Sequence, residues 1–169
     1  MKLGVLGTGT VGTALGSGFV KAGHEVRMGS RKAGNEKGNA WAAAAGRGAS
    51  TGTFADAAAF GEIVFNATNG AGSVDAVTAA GRENLRGKIL VDVANPLDFS
   101  RGMPPALFTA EAGESLAERI QSEVPETKVV KTLNTVNATV MLDPARVGGE
   151  SDLFLAGNDP GAKARITAL

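Results

Sequence analysis

The chain has 169 residues, a length that suits one domain. Apolar residues make up 43%, and 17 basic residues balance 17 acidic ones, so the chain can bury a core and has no net charge to attract nucleic acid or lipid. It contains no cysteine, no tyrosine and one histidine, which excludes disulfides, thiolate nucleophiles and sites that need two histidines. We therefore expect a single cytoplasmic domain over residues 1–169, with no metal site, no nucleic-acid partner and no membrane span.

The first elements predicted along the chain are a strand, a helix and a second strand. Lys2 to Leu6 is a short apolar run that ends at a glycine, and apolar residues then recur at helical spacing between Val11 and Ala22. Gly23 is placed to end this helix, and His24 to Met28 follows as a strand. Together they predict a βαβ unit of about 30 residues.

The same alternation continues along the rest of the chain. Helices are predicted at 33–46, 54–60, 73–82, 114–124 and 160–169, with Ser73 as the cap of the third, and strands at 49–53, 63–65, 89–93, 128–133 and 152–156. Apolar strands between helices predict an α/β protein of Rossmann type, with a doubly wound, mostly parallel sheet and helices on both faces. The last helix ends without a following strand, so we expect the domain to lack a C-terminal extension.

A glycine-rich motif directly follows the first predicted strand. Its residues match the dinucleotide-binding pattern G-x-G-x-x-G, and they open a predicted helix whose free N–H groups would face an anion. The three glycines allow a tight turn, a close approach of pyrophosphate and close packing of helix on strand. The alternative is a glycine-rich turn without a ligand; a P-loop is excluded because no G-K-[ST] ending follows. We predict that the cofactor is bound by Gly7, Thr8, Gly9, Thr10, Val11 and Gly12.

The end of the second predicted strand indicates which dinucleotide binds. NAD-binding domains place an acidic residue there for the ribose 2′-hydroxyl, whereas this chain continues with Ser30, Arg31 and Lys32. Arg31 offers a planar fork to a 2′-phosphate, Ser30 a hydroxyl donor and Lys32 a point charge. These residues predict NADP(H). A solvated basic loop is the alternative, and Arg27 or Lys37 could serve instead of Arg31.

Polar side chains follow the later strands at the carboxyl edge of the sheet, where open α/β sheets bind ligands. Thr68 and Asn69 follow the fourth predicted strand, Asn95 the fifth and Asn134 the sixth. Carboxamides donate and accept hydrogen bonds, which suits a nicotinamide and ribose hydroxyls, although Asn also occurs in turns for local reasons. We predict that these four residues bind the cofactor.

This edge of the predicted sheet offers no convincing proton-transfer group. His24 falls at the opposite edge, Lys131 can alternate outward, and Asp92 lies inside a buried predicted strand, where it is an alternative site acid. We assign no catalytic side chain. Such a site suits direct hydride exchange between two redox rings, in which the protein sets distance and orientation.

These motifs resemble those of the NADPH-dependent reductases of coenzyme F420, an 8-hydroxy-5-deazaflavin. The similar segments run nearly end to end and are 7–12, 23–26, 29–31, 95–97 and 129–137. The resemblance implies that Thr8 to Val11 hold the pyrophosphate, that Ser30 and Arg31 hold the 2′-phosphate, and that Thr68 and Asn134 flank the nicotinamide. It implies reversible hydride transfer between NADPH and coenzyme F420 as the second substrate.

The resemblance is incomplete, because family members continue past the position of Leu169 with a part that helps to form the deazaflavin pocket and the dimer contact. Two alternatives therefore stay open. One is another NADPH-dependent flavin, quinone or carbonyl reductase of the same superfamily, and the other is a dinucleotide-sensing module without turnover. We also expect a homodimer, because a cofactor domain with an incomplete sheet edge gains from a partner.

Overall fold

A six-stranded parallel sheet forms the centre of the structure, a computed structural model that describes residues 1–109, 113–149 and 152–169. Its strands are β1 (Lys2–Leu6), β2 (Glu25–Ser30), β3 (Ala49–Thr53), β4 (Ile63–Asn66), β5 (Ile89–Asp92) and β6 (Lys128–Lys131). They lie in the order β3-β2-β1-β4-β5-β6. The strand order reverses between β1 and β4, which places a crevice beyond the carboxyl ends of these two strands. The predicted doubly wound α/β fold is confirmed.

Helices cover both faces of the sheet. Those in the described ranges are α1 (Thr10–Lys21), α2 (Glu36–Ala45), α3 (Phe54–Phe60), α4 (Ser73–Ala80), α5 (Arg82–Leu85), α6 (Leu116–Glu123), α7 (Ala138–Leu142) and α8 (Pro160–Thr167). Helices α1, α2, α7 and α8 pack on one face, and α3, α4, α5 and α6 pack on the other. Short 3-10 helices form at Gly70–Gly72 and Pro144–Val147. Within the described residues, no helix has the length and apolar character needed to cross a membrane.

The central strands β1, β4 and β5 are largely apolar on both sides because each side is covered by helices. In β1, Leu3 and Val5 join the core under α1 and α2, whereas Leu6 joins the core under α3 and α4. A side chain at Gly4 would collide with the carbonyl of Ala57, so α3 packs directly on β1. The backbone of β1 is thereby held where its last residue meets the glycine-rich turn.

The predicted strand at 152–156 is wrong. Only Ala156 pairs, as a single antiparallel bridge in which it exchanges two backbone hydrogen bonds of 2.8 and 3.0 Å with Lys131. The next outward-facing N–H of β6 belongs to Val129, and the side chain of Gln121 accepts its hydrogen bond at 3.3 Å. A second strand therefore finds no free donor at that point, and Phe154 stays 78% exposed.

Other differences concern the ends of predicted elements and elements that were not predicted, among them helix α7. Strand β2 begins at Glu25, so His24 lies in the turn before it, and the strand continues to Ser30. Helix α4 includes Ser73 as its first residue instead of being capped by it. A two-residue antiparallel hairpin, Leu97–Asp98 with Ala106–Leu107, follows β5 and was not predicted.

Candidate functional site

The glycine-rich turn after β1 leads directly into α1. Gly7 has a φ of +116°, and a Cβ there would lie 2.6 Å from the carbonyl oxygen of Ala67. A Cβ on Gly12 would collide with the carbonyl oxygen of Gly7, whereas one on Gly9 would meet no atom within 4 Å. The first and third glycines are therefore required by the packing of the protein itself, and the second leaves free space beside the turn.

The N-terminus of α1 faces this space without a side-chain cap. Gly9 is the N-cap residue, no side chain bonds to the first turn, and the first turn carries no acidic residue. The first N–H groups of a helix have no acceptor within the helix, and the helix dipole makes this end partly positive. The turn therefore fits an anion such as the pyrophosphate of a dinucleotide.

A cleft of about 980 Å³, the larger cleft, extends from this turn to the loop after β2. Helix α4 forms its opposite wall with Asp75, Ala76 and Ala79. The predicted site residues that line it are Gly7, Thr8, Gly9, Ser30, Arg31, Lys32, Thr68 and Asn69. The structure thus brings the glycine-rich turn and the basic loop, which are separate in sequence, to one continuous surface.

The far end of the larger cleft is basic. Arg31, Lys32 and Lys37 are exposed and line it, and no carboxylate in the described part of the chain forms an ion pair with any of them. Arg27 lies elsewhere, with its guanidinium 4.4 Å from the centre of the Phe60 ring. Of the two alternatives to Arg31, Lys37 therefore reaches this cleft and Arg27 does not.

Ser30 has a more structural position than predicted. Its side chain is buried, and its hydroxyl donates a hydrogen bond of 2.6 Å to the carbonyl of Lys32. This bond joins Ser30 to Lys32 and closes the loop after β2. Arg31, which lies between them in the sequence, is thereby held at the cleft. The hydroxyl proton of Ser30 is therefore used within the loop in this structure.

A smaller cavity of about 230 Å³ adjoins the larger cleft. The two share the turn from Ala67 to Asn69 as a common wall. The smaller cavity is completed by Val11, Gly70, Val93, Ala94, Asn95, Leu97 and Phe99. None of these lining residues carries a titratable side chain, and most are apolar.

Asn95 and Asn134 bond to each other. The Asn95 side chain donates to the Asn134 carbonyl at 2.7 Å, and the Asn134 side chain donates to Asn95 Oδ1 at 3.1 Å. Leu133, which precedes Asn134, adopts a left-handed conformation with a φ of +61°. Asn134 thus fixes the carboxamide of Asn95 at the smaller cavity and does not itself line either cavity. Two other predicted site residues, Thr10 and Gly12, also line neither cavity.

Polar residues end three neighbouring strands, a feature that the sequence analysis did not identify as a unit. Asn66 of β4 is in register with Asp92 of β5, and Asp92 with Lys131 of β6. Lys131 Nζ lies 2.9 Å from Asp92 Oδ2, and Asp92 is fully buried. The expectation that Lys131 alternates outward is wrong, because a buried carboxylate needs a cation and Lys131 supplies it. Asp92 is not open to either cavity as a site acid.

His24 lies away from both cavities, at the amino edge of the sheet. Its ring packs edge-on against Phe19, with 6.2 Å between the ring centres. This position agrees with a structural role. The larger cleft contains one acidic side chain among the described residues, that of Asp75.

The chain is similar in sequence to coenzyme F420-dependent NADP oxidoreductases. A family model described as "NADP oxidoreductase coenzyme F420-dependent" matches residues 2–96, a range that includes every predicted site residue except Asn134. The F420-dependent NADP reductase of Methanocaldococcus jannaschii is 32% identical over 88 residues. That match covers 52% of this chain and 39% of the archaeal protein, so it spans less than half of that relative.

Solved structures match over the whole chain. A protein from Arthrobacter sp. FB24, provisionally named an F420-dependent NADP reductase, is 49% identical with a TM-score of 0.93, and the match covers 99% of this chain and 78% of that one. A hypothetical protein from Sinorhizobium meliloti is 27% identical with a TM-score of 0.81 and the same coverage. Pyrroline carboxylate reductase from Plasmodium falciparum, solved with NADP bound, shares the fold at 17% identity and a TM-score of 0.62, over 99% of this chain and 53% of that one.

Proposed function

The chain belongs to the family of coenzyme F420-dependent NADP oxidoreductases, and we propose that it transfers hydride reversibly between NADPH and coenzyme F420. The observation that carries this proposal is the pairing of two cavities across one wall. The larger cleft suits a phosphorylated dinucleotide. The smaller cavity, directly beside it, suits the apolar ring of a second reactant.

The larger cleft fits NADPH at both the pyrophosphate and the 2′-phosphate. Its turn at Gly9 leaves free space in front of the uncapped N-terminus of α1, where a pyrophosphate would be bound. At the other end Arg31, Lys32 and Lys37 would hold the 2′-phosphate, which NADH lacks. The adenosine ribose would then lie between these two phosphate sites, and the nicotinamide riboside would extend from the pyrophosphate in the other direction, toward the wall formed by Thr68 and Asn69.

The smaller cavity fits a reaction that needs no protein acid or base. The nicotinamide supplies a hydride, which is a proton with two electrons, and the acceptor takes a further proton from water to complete its reduction. The residues of this chain would provide alignment: Val93, Leu97 and Phe99 offer apolar surface to the ring, and Thr68 and Asn95 offer polar groups beside it. Among the residues that the structure describes, those lining this cavity carry no titratable side chain, which supports direct transfer.

Two alternatives predict different behaviour toward the same ligands. A reductase for another flavin, a quinone or a carbonyl compound would bind NADPH in the same way and reduce that acceptor. A dinucleotide-sensing module would bind NADPH without passing the hydride to any acceptor. Turnover therefore distinguishes the enzyme from the sensor, and the choice of acceptor distinguishes the two reductases.

Cofactor selection is tested by replacing Arg31 with alanine. We expect the Kd for NADPH to rise by about 10- to 100-fold, because a charge-assisted hydrogen bond to phosphate contributes about 1.5–3 kcal/mol. The Kd for NADH should change by less than about twofold, since NADH has no 2′-phosphate. Fluorescence titration with both nucleotides measures the two constants.

The matched control is Arg47→Ala, which removes an exposed arginine that does not line the larger cleft. Its NADPH affinity should equal that of the parent protein. An equal loss of NADPH and NADH affinity in Arg31→Ala would contradict the assignment of Arg31 to the 2′-phosphate.

A further inference from the structure

Asp92 lies at the centre of a buried polar cluster, the clamp, which we define as Asn66, Asp92 and Lys131. One carboxylate oxygen of Asp92 accepts from the side chain of Asn66 at 2.8 Å and from the backbone N–H of Ala94 at 3.2 Å. The other accepts from Lys131 Nζ at 2.9 Å. Lys131 also donates to the carbonyl of Ala94. Asp92 therefore binds the backbone N–H of Ala94, and Lys131 binds the backbone carbonyl of the same residue.

The clamp continues through Asn66 to the turn after β4. The oxygen of the Asn66 side chain accepts from the hydroxyl of Thr68 at 2.7 Å, and its nitrogen donates to Ser73 Oγ at 3.0 Å. The hydroxyls of Thr68 and Ser73 are 3.0 Å apart. Asn66, Ser73 and Asp92 are fully buried, so water does not compete for these bonds.

These bonds connect the two sides of the smaller cavity. Thr68 belongs to the wall that this cavity shares with the larger cleft, and Ala94 belongs to the wall after β5. Asp92 bonds directly to the second wall and, through Asn66, to the first. The two walls are therefore connected through Asp92, its ion pair with Lys131 and Asn66, in addition to the 3.1 Å hydrogen bond that the Val93 N–H donates to the Asn66 carbonyl.

Stability alone is a weak reason for this arrangement. A buried ion pair must recover the cost of removing two charges from water, and apolar residues of similar volume often stabilise a core as well or better. Hydrogen bonds to a buried carboxylate do fix the distance and direction of the groups that donate to it. Hydride transfer depends strongly on such alignment, because small displacements of the reacting groups slow it.

We infer that Lys131 and Asp92 are positioning residues for hydride transfer, which hold the two walls of the smaller cavity at the spacing that aligns the acceptor with the nicotinamide. This inference rests on the proposed function, which places the acceptor in that cavity. Neither side chain lines the smaller cavity or the larger cleft; both act through Asn66, Thr68 and Ala94.

The test replaces Lys131 with methionine, which keeps most of the side-chain length and removes the charge. Lys128→Met is the matched control, because Lys128 lies on the same strand and forms a surface ion pair with Asp159 instead. Two properties are compared in the full chain. The first is amide hydrogen exchange at Thr68 and Ala94 without nucleotide, and the second is turnover at saturating substrates together with the Kd for NADPH.

We expect Lys131→Met to accelerate exchange at both Thr68 and Ala94 and to lower turnover by about tenfold or more, with the NADPH Kd within about twofold of the parent value. Lys131→Arg, which restores the charge, should recover most of both properties, and Lys128→Met should change neither. Unchanged exchange at Thr68 in Lys131→Met would overturn the inference. So would an NADPH Kd that rises as much as turnover falls, since this would indicate a general loss of structure.

Two further experiments cover the cases in which Lys131→Met does not fold or the parent protein reduces no acceptor. If Lys131→Met does not fold, the double variant Lys131→Met/Asp92→Asn removes both charges and is subject to the same expectations. If the parent protein binds NADPH but reduces no acceptor, the proposed function fails. The clamp is then judged separately, by exchange at Thr68 and Ala94 and by the NADPH Kd.

Discussion

Gly9 and Gly12 belong to one motif, but the structure requires them for different reasons. A Cβ on Gly12 would collide with the Gly7 carbonyl, so Gly12→Ala should destabilise the fold by about 1–3 kcal/mol, the usual range for overpacking. Gly9→Ala should leave the melting temperature unchanged and weaken NADPH binding by about tenfold or more, because its methyl group would fill the space of the pyrophosphate. Thermal denaturation and NADPH titration of both variants measure these effects. Parent-like NADPH affinity in Gly9→Ala would exclude the pyrophosphate from this turn.

The placement of individual side chains was predictable where chain connectivity determines it. The turn at Gly9 and the loop at Arg31 each follow directly from a strand of the same parallel sheet, so both had to lie at its carboxyl edge. The orientation of Asn134 and Lys131 was not predictable in this way. Their partners, Asn95 and Asp92, are each 39 residues away in sequence, and only the packed fold shows which polar group satisfies which.

Helix α3, which packs on β1 beneath the glycine-rich turn, begins with a capping box. Asp56 accepts hydrogen bonds from the Thr53 backbone N–H at 2.8 Å and from the Thr53 hydroxyl at 2.7 Å. These bonds, the backbone one foremost, hold the pKa of Asp56 below its ordinary value of 3.8. A carboxylate with a lowered pKa in the folded state contributes stability above the unfolded value. That contribution is lost as the pH falls through the folded value.

The melting temperature should therefore respond to acid through this box. Asp56→Asn should melt below the parent protein at pH 7, and the difference should shrink as the pH falls below the ordinary carboxyl value of about 4 and then through the lowered pKa of the folded carboxylate. Glu25→Gln replaces an exposed acid at the start of β2 and should keep the acid response of the parent. Melting curves from neutral to acidic pH measure this. A constant difference between Asp56→Asn and the parent would contradict the role of the box.

A helix or strand was predictable when the residues that determine it lie close together in the sequence. Thr53 and Asp56 form a box within four residues, and α3 has the predicted bounds. The segment 152–156 has the apolar composition of a strand, but strand pairing requires free backbone N–H groups on the neighbouring strand. The Val129 N–H of β6 already donates to the side chain of Gln121. Serine is a common helix cap, but the hydroxyl of Ser73 instead forms hydrogen bonds with Asn66 and Thr68 in the buried cluster.

The arrangement of the whole molecule follows from its repeating unit. Each apolar strand is followed by a helix or loop that returns the chain to the same edge, and such crossovers are right-handed, which leaves few possible sheets. The order β3-β2-β1-β4-β5-β6 agrees with this rule. The smaller cavity was harder to predict because it depends on the unpredicted hairpin at Leu97–Asp98.

We propose that this chain passes a hydride from NADPH to coenzyme F420. The most direct measurement mixes the protein and NADPH with oxidised coenzyme F420 in an anaerobic stopped-flow instrument and follows the deazaflavin absorbance, with NADH in a parallel experiment. We predict rapid loss of the absorbance with NADPH and a much slower loss with the same concentration of NADH. An unchanged absorbance despite saturable NADPH binding would contradict the claim.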